Sequence, residues 1–194
     1  MYDTFLQIKP LLFEHEGGYT NNFKDPGNWT GGKIGIGRLV GTNHGVSAPT
    51  LKAIRHREIT RDEMMELSRD QAEFILKRKY WDAVKADNLP AGIDYCVADY
   101  SVNSGTRRAA KTLQKVVGAK ADGTVGPKTL EAIQSCGKSA FQIIDEICDQ
   151  RLAFMQGLRA WKDFGRGWSS RVHDVREHSK RFASPIPQTK SELK

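Results

Sequence analysis

Residues 2–18, YDTFLQIKPLLFEHEGG, carry the first decision about the fold. Phe5, Ile8 and Leu12 recur at helical spacing, so the stretch predicts an amphipathic helix over 2–16, stopped by Gly17-Gly18. With Phe5 at zero and about 100° per residue, Ile8, Leu12 and Glu16 all fall within about 60° of it. Glu16 therefore continues the apolar stripe, whereas Glu14 falls opposite and is expected in solvent. Burial disfavours the charged form of a carboxylic acid, and a helix C-terminus disfavours negative charge, so both effects push the Glu16 pKa upward. An acid kept protonated near neutrality suits a general acid, and the glycine pair would let another molecule approach closely. An ion pair with Arg107 or Arg108, or a cap on a neighbouring helix, would explain the same position equally well.

Beyond this helix the composition changes. Nine of the 18 glycines fall between Gly17 and Gly45, among Asn21, Asn22, Asp25, Pro26 and Asn28, and the same stretch holds Tyr19, Phe23 and Trp29. A loop this long with aromatic content reads as functional rather than as a linker. Inside it, Lys33 to Arg38 alternates apolar and other residues, which predicts a short β-hairpin.

The remainder is helical in pattern. Thr60 and Glu63 form a capping-box signature, followed by Met64, Leu67, Gln71, Phe74 and Ile75 at helical period as far as Tyr80-Trp81. Residues 91–102 read as a buried helix. Thr106 is expected to cap the next, through Val117, with Gly118 ending it and Asp122-Gly123-Thr124 turning the chain. Pro127 opens a short helix over 127–135. Ser139 opens the longest, with Phe141, Ile144, Ile147, Cys148, Leu152, Met155 and Leu158 on one face, and a last helix runs from about Trp168 to Lys180. The expected fold is mainly α, with a small β-hairpin and loop lobe after the first helix. Its expected organisation is a region over 1–90 carrying Glu16 and the glycine-rich loop, a helical region over 91–182 packed on it as one globular unit, and a mobile tail over 183–194.

Composition excludes several classes. The 194 residues are 39% hydrophobic and 27% charged with seven prolines, which argues against disorder. No apolar run reaches the roughly 18 residues needed to span a bilayer, so neither stable membrane insertion nor a secretory signal is expected. Cys96, Cys136 and Cys148 are odd in number and widely spaced, and are expected to be reduced and buried. The formal charge of +7, from 30 basic and 23 acidic residues, favours a polyanionic partner without choosing among nucleic acid, anionic lipid and cell wall. His15, His44, His56, His173 and His178 contain no i, i+4 pair, no Walker loop is present and there is no G-x-S-x-G, so no metal site, cofactor or serine nucleophile is expected.

Asp25 lies nine residues after Glu16, in a polar loop where it should stay ionised. Two carboxylates in contrasting environments are the pattern of glycoside hydrolysis: one protonates the leaving oxygen, the other activates water or stabilises an oxocarbenium ion. Asp25-Pro26-Gly27 is also an ordinary turn initiator, and that reading stays open. Tyr19, Trp29, Tyr80 and Trp81 could offer flat faces to sugar rings, although aromatic residues are more commonly core.

The blocks His15-Glu16-Gly17-Gly18-Tyr19, Asp25-Pro26-Gly27 and Gly41-Thr42-Asn43-His44-Gly45-Val46-Ser47 resemble the glycoside hydrolase family 108 muramidases. So do Tyr80-Trp81-Asp82, Leu89-Pro90-Ala91-Gly92 and Asp99-Tyr100-Ser101-Val102-Asn103-Ser104-Gly105. Leu113-Gln114 with Asp122 to Thr129 is similar to the predicted peptidoglycan-binding region that accompanies that family. The resemblance covers about residues 5–178. The resemblance implies a lysozyme-like helical fold that cleaves between N-acetylmuramic acid and N-acetylglucosamine. Glu16 would be the catalytic acid, Asp25 the second carboxylate and either Thr30 or Thr42 a catalytic threonine. Tyr19, Trp29, His44, Tyr80, Trp81, Asp99 and Asn103 would contact substrate. His44 stands where the family has another aromatic, and the loop between Asp25 and Thr42 is longer than in short members.

The implied partner is peptidoglycan rather than nucleic acid, and the enzyme is expected to be a monomer without a cofactor. Made in the cytoplasm, it would reach the wall through a holin-type lesion or a dedicated secretion system. A lytic transglycosylase using Glu16 alone, or a non-catalytic wall-binding module, would be the alternatives. The long loop carrying Asp25 favours a wide carboxylate spacing and hence inversion of configuration.

Overall fold

The computed structural model describes residues 4–13 and 18–184, and its chain divides between Asp82 and Ala83 into two compact units. Glu14, His15, Glu16 and Gly17 lie outside the described residues, as does the tail beyond Ser184. The described residues are mainly helical and contain isolated β-bridges but no extended strand.

In the first unit, helix α1 (Thr4–Phe13) buries Phe5 and Ile8, as its periodicity predicts, and carries Pro10 within it. Its Lys9 pairs with Glu73, and Phe5 meets Trp81 edge to face with ring centroids 5.3 Å apart. Helix α2 (Ala48–Arg55) has no counterpart in the expected elements; Ser47 precedes it and Pro49 sits in its first turn, where a missing N–H costs nothing.

The helix expected from Thr60 to Trp81 is interrupted. Thr60 and Glu63 do form the capping box, but helix α3 (Arg61–Met65) is short. Ser68 and Gln71 then form a second box that starts helix α4 (Arg69–Leu76). A wider, π-helical segment follows over Lys77–Trp81. Ser68 satisfies donors that a continuous helix would not expose, so it restarts the helix rather than passing through it.

The second unit is built around helix α5 (Ile93–Ser104), buried at every residue from Ile93 to Ser101 and packed against helices α6 (Thr106–Val116), α8 (Ala140–Gln156) and α9 (Trp161–Ala183). Thr106 is the first residue of α6 and not its cap; Gly105 occupies that position without a side-chain bond. The helix ends as expected at Gly118: the Ala119 N–H donates to the Gln114 carbonyl at 2.7 Å and the Gly118 N–H to Lys115 at 3.3 Å, a Schellman closure. Buried Gln114 then organises the Asp122 turn, donating to Asp122 Oδ1 and Thr129 Oγ1 and accepting from the Gly123 N–H. Helix α7 (Pro127–Ser135) begins at Pro127, and α8 is capped by the Ser139 box with Gln142.

The buried stripe of α8 is Ile143, Ile144, Ile147, Cys148, Arg151 and Met155; Phe141 and Leu158, expected on that face, are exposed. Helix α9 starts seven residues before the expected Trp168 and continues through Ala183. Among the cysteines, Cys96 and Cys148 are buried, whereas Cys136 is only half-buried because it lies at the end of a short helix.

Candidate active-site loop

Residues 18–47 of the first unit fold through hydrogen bonds rather than strands. No strand forms over 33–38, where a hairpin is expected; the chain only reverses there, inside a single antiparallel bridge between Trp29 and Leu39. Gly35 and Gly37 take left-handed φ values of 78° and 81°, and Ile34 and Ile36 are each 55% exposed, so the alternation marks no buried face. The Thr30 N–H donates to the Arg38 carbonyl and the Arg38 N–H to Thr30 Oγ1, both at 2.9 Å. A two-residue hairpin turn lies at Asn43–Val46. There His44 (φ 46°) and Gly45 (φ 75°) occupy the two left-handed positions, and Asn43 and Val46 exchange backbone hydrogen bonds of 3.2 and 2.9 Å. Asn43 ties this turn to α3 by donating to the carbonyls of Met64 and Met65.

Asp25 sits at the start of a single 3₁₀ turn over Pro26–Asn28, and its Oδ1 accepts the Gly27 N–H at 2.8 Å. The Gly27 carbonyl in turn accepts a 3.3 Å hydrogen bond from Thr42 Oγ1. One residue thus joins Asp25 and Thr42. Asp25 itself is exposed, with no hydrogen-bond partner on its second oxygen among the described residues. Thr42 exchanges backbone hydrogen bonds with Thr20, four residues beyond Glu16 in the sequence. The two candidate threonines therefore separate: Thr42 is linked to Asp25, whereas Thr30, 4% exposed, spends its hydroxyl on the Arg38 turn.

Tyr19 donates its hydroxyl to the Val40 carbonyl at 3.2 Å, and the Arg61 guanidinium lies 5.6 Å from its ring centre. Gly41 must be glycine here: its φ is 92°, and a Cβ would stand 2.6 Å from both the Thr20 carbonyl and the Tyr19 ring. Half-buried Trp29 donates its indole N–H to the Phe23 carbonyl. Asn28, which sequence reasoning passes over, is the buried hub of the loop. Its carbonyl accepts from Val40 and Gly41, its N–H donates to Asp25 and its side chain donates to Asn22.

The remaining candidates are scattered. Half-buried Tyr80 lies on the π-helical segment. Trp81, expected to offer a face to sugar, is 1% exposed and packed against Phe5; it belongs to the core. Asp99, in the second unit and also 1% exposed, is ion-paired at 2.7 Å to Arg151, itself 1% exposed, and at 2.8 Å to Arg171. Its carboxylate balances a buried guanidinium and is not presented to a ligand. Asn103 is exposed near the end of α5 and accepts from the Ser104 hydroxyl. Glu16 lies outside the described residues. Among the described residues no three His, Cys, Asp or Glu side chains are grouped to hold a metal ion, and no helix is long and apolar enough to cross a membrane.

Residues 10–105 match the glycosyl hydrolase 108 family, and residues 108–173 match the family described as a predicted peptidoglycan domain. A solved structure, SagA of Brucella abortus, superimposes with a TM-score of 0.80 at 39% sequence identity, covering 95% of this chain and 98% of that one. No curated protein matches. With the loop that follows α1 and the helical unit beyond it both falling within these matches, the chain belongs to the glycosyl hydrolase 108 family, followed by a predicted peptidoglycan domain, and is a peptidoglycan hydrolase of mainly helical fold.

Proposed function

We propose that the protein is an N-acetylmuramidase that hydrolyses the β-1,4 bond between N-acetylmuramic acid and N-acetylglucosamine, with Glu16 as general acid and Asp25 as the group that activates water. The observation that carries this reading is the chain Asp25–Gly27–Thr42: an exposed carboxylate with one oxygen fixed and the other without a partner among the described residues, braced by a threonine whose backbone pairs with Thr20. A water molecule needs such a carboxylate to take its proton as the sugar C1 is attacked, while the acid protonates the departing oxygen. Fixing Oδ1 leaves the second oxygen for that role. Tyr19 and Trp29, half-buried with their polar ends tied to backbone carbonyls, would hold the sugars. His44 at the turn tip and Tyr80 would complete the contacts of this unit.

Because the bond lies in the wall, the enzyme acts on the wall side of the membrane, delivered by a lesion or a dedicated exporter, in lysis or in remodelling. Clearing of purified peptidoglycan tests the assignment. Glu16→Gln should lower the rate by about 10² to 10⁴, the usual contribution of a positioned general acid, while Glu14→Gln should be nearly silent. Equal effects of the two would contradict the assignment of the acid.

A further inference from the structure

Arg107, Lys111 and Lys115 are spaced i, i+4, i+8 on α6 and form one row about 12 Å long at 1.5 Å per residue. With Arg108 they line a cavity of about 670 Å³ in the second unit, which Tyr100 and Phe154 also border. No Asp or Glu is among the lining residues. None of the four cations has an ion-pair partner among the described residues. Like charges this close repel one another, so the arrangement calls for an anionic occupant.

Arg108 decides what kind. Its guanidinium lies 3.7 Å from the centre of the Phe154 ring and covers the face on which a sugar would stack. A stacked guanidinium still offers its N–H edge, which matches a carboxylate with two parallel hydrogen bonds. In peptidoglycan the glycan backbone carries few charges, and carboxylates are concentrated on the peptide stems. The cavity lies at the start of the predicted peptidoglycan domain, which contributes Arg108, Lys111, Lys115 and Phe154 to its lining.

We propose that this cationic cavity binds the carboxylates of peptidoglycan stem peptides, so that the second unit grips the peptide while the first works on the sugar. The proposal rests on peptidoglycan being the substrate and is independent of the role of Glu16.

The test titrates the full chain with a soluble stem tripeptide, with the same peptide after its carboxylates are amidated, and with peptide-free glycan. In parallel, reducing ends released from peptide-free glycan are counted. Binding of the free tripeptide, its loss on amidation, and at least about tenfold weakening in the Arg107→Gln/Lys111→Gln/Lys115→Gln variant are expected. Lys111→Arg should retain binding, because it keeps the positive charge of the row. Arg107 and Lys115 are exposed, so the triple change should fold; if it does not, the amidated peptide alone decides. Equal binding of amidated and free peptide would overturn the proposal. So would tighter binding of peptide-free glycan, or of DNA used as a generic polyanion. Release of reducing ends without peptide binding would sink this inference and leave the hydrolase reading standing; peptide binding without reducing ends would do the reverse.

Discussion

Thr20 and Thr42 exchange both backbone hydrogen bonds, 2.9 Å from the Thr20 N–H and 2.8 Å in return. This pairing holds the chain leaving the Glu16 segment against the residue whose hydroxyl braces the Asp25 turn. The two ends of the candidate catalytic loop are thereby fixed to each other.

Substitution should separate the two candidate threonines by the kind of damage done. Thr42→Val removes the hydrogen bond to the Gly27 carbonyl and should lower kcat about 10- to 100-fold through misplacement of Asp25, with Thr42→Ser restoring most of it. Thr30→Val leaves the Arg38 N–H without its acceptor and should cost about 1–3 kcal/mol of stability with kcat kept. Turnover and denaturant midpoints of the three variants check this, and the opposite pattern would make Thr30 the functional residue.

Asp99→Asn should destabilise the protein by about 3–5 kcal/mol, because it leaves Arg151 buried without a full counter-charge. Arg151 already lacks acceptors for Nε and Nη2 among the described residues. Denaturant unfolding measures the loss. An unchanged stability with weakened wall binding would return Asp99 to the substrate contacts.

Stability should also depend on pH through Asp94. This buried carboxyl titrates at about 6, because burial disfavours its charge by more than the Tyr95 and Gly92 N–H groups favour it. In the unfolded chain it titrates near 4, so the folded state binds the extra proton between those values. The group's contribution is therefore fully present below about pH 4 and lost as pH rises through about 6, a change of up to about 3 kcal/mol. Asp94→Asn keeps an acceptor for both N–H groups and does not titrate. Its stability relative to wild type should improve by about 1–3 kcal/mol from pH 4 to pH 7, and a pH-independent difference would count against the burial argument.

Thiol chemistry should distinguish the three cysteines. The sulfurs of Cys96 and Cys148 are 3.7 Å apart and buried, and their mutual hydrogen bond and burial push the Cys96 thiol well up. Half-buried Cys136 should react first with a disulfide reagent in the native state, and the other two only after unfolding. A rapid reaction of all three would contradict the buried pair.

Much of the helical framework is legible because its signals are local. The Thr60/Glu63 and Ser139/Gln142 boxes, Gly118 and Pro127 each act where the sequence places them. Ser68/Gln71 is the same signature, masked by the apolar period that runs through it, and α2 hides behind Ser47-Ala48-Pro49 at the end of a glycine-rich loop. The site is less legible. Asp25 and Thr42 stand out by spacing and resemblance, but Asn28 and Asn43 act through partners distant in sequence and leave no local pattern. Trp81 and Arg151 illustrate the converse: side-chain type suggests exposure to sugar for one and to water for the other, and tertiary packing buries both.

Mass spectrometry of the muropeptides released from purified peptidoglycan tests the central claim most directly. Hydrolysis by a Glu16 acid and an Asp25 base predicts products with free reducing muramic ends, lost with Asp25→Asn as well as with Glu16→Gln. Products lighter by one water, ending in 1,6-anhydromuramic acid and still formed by Asp25→Asn, would contradict it and make the enzyme a lytic transglycosylase.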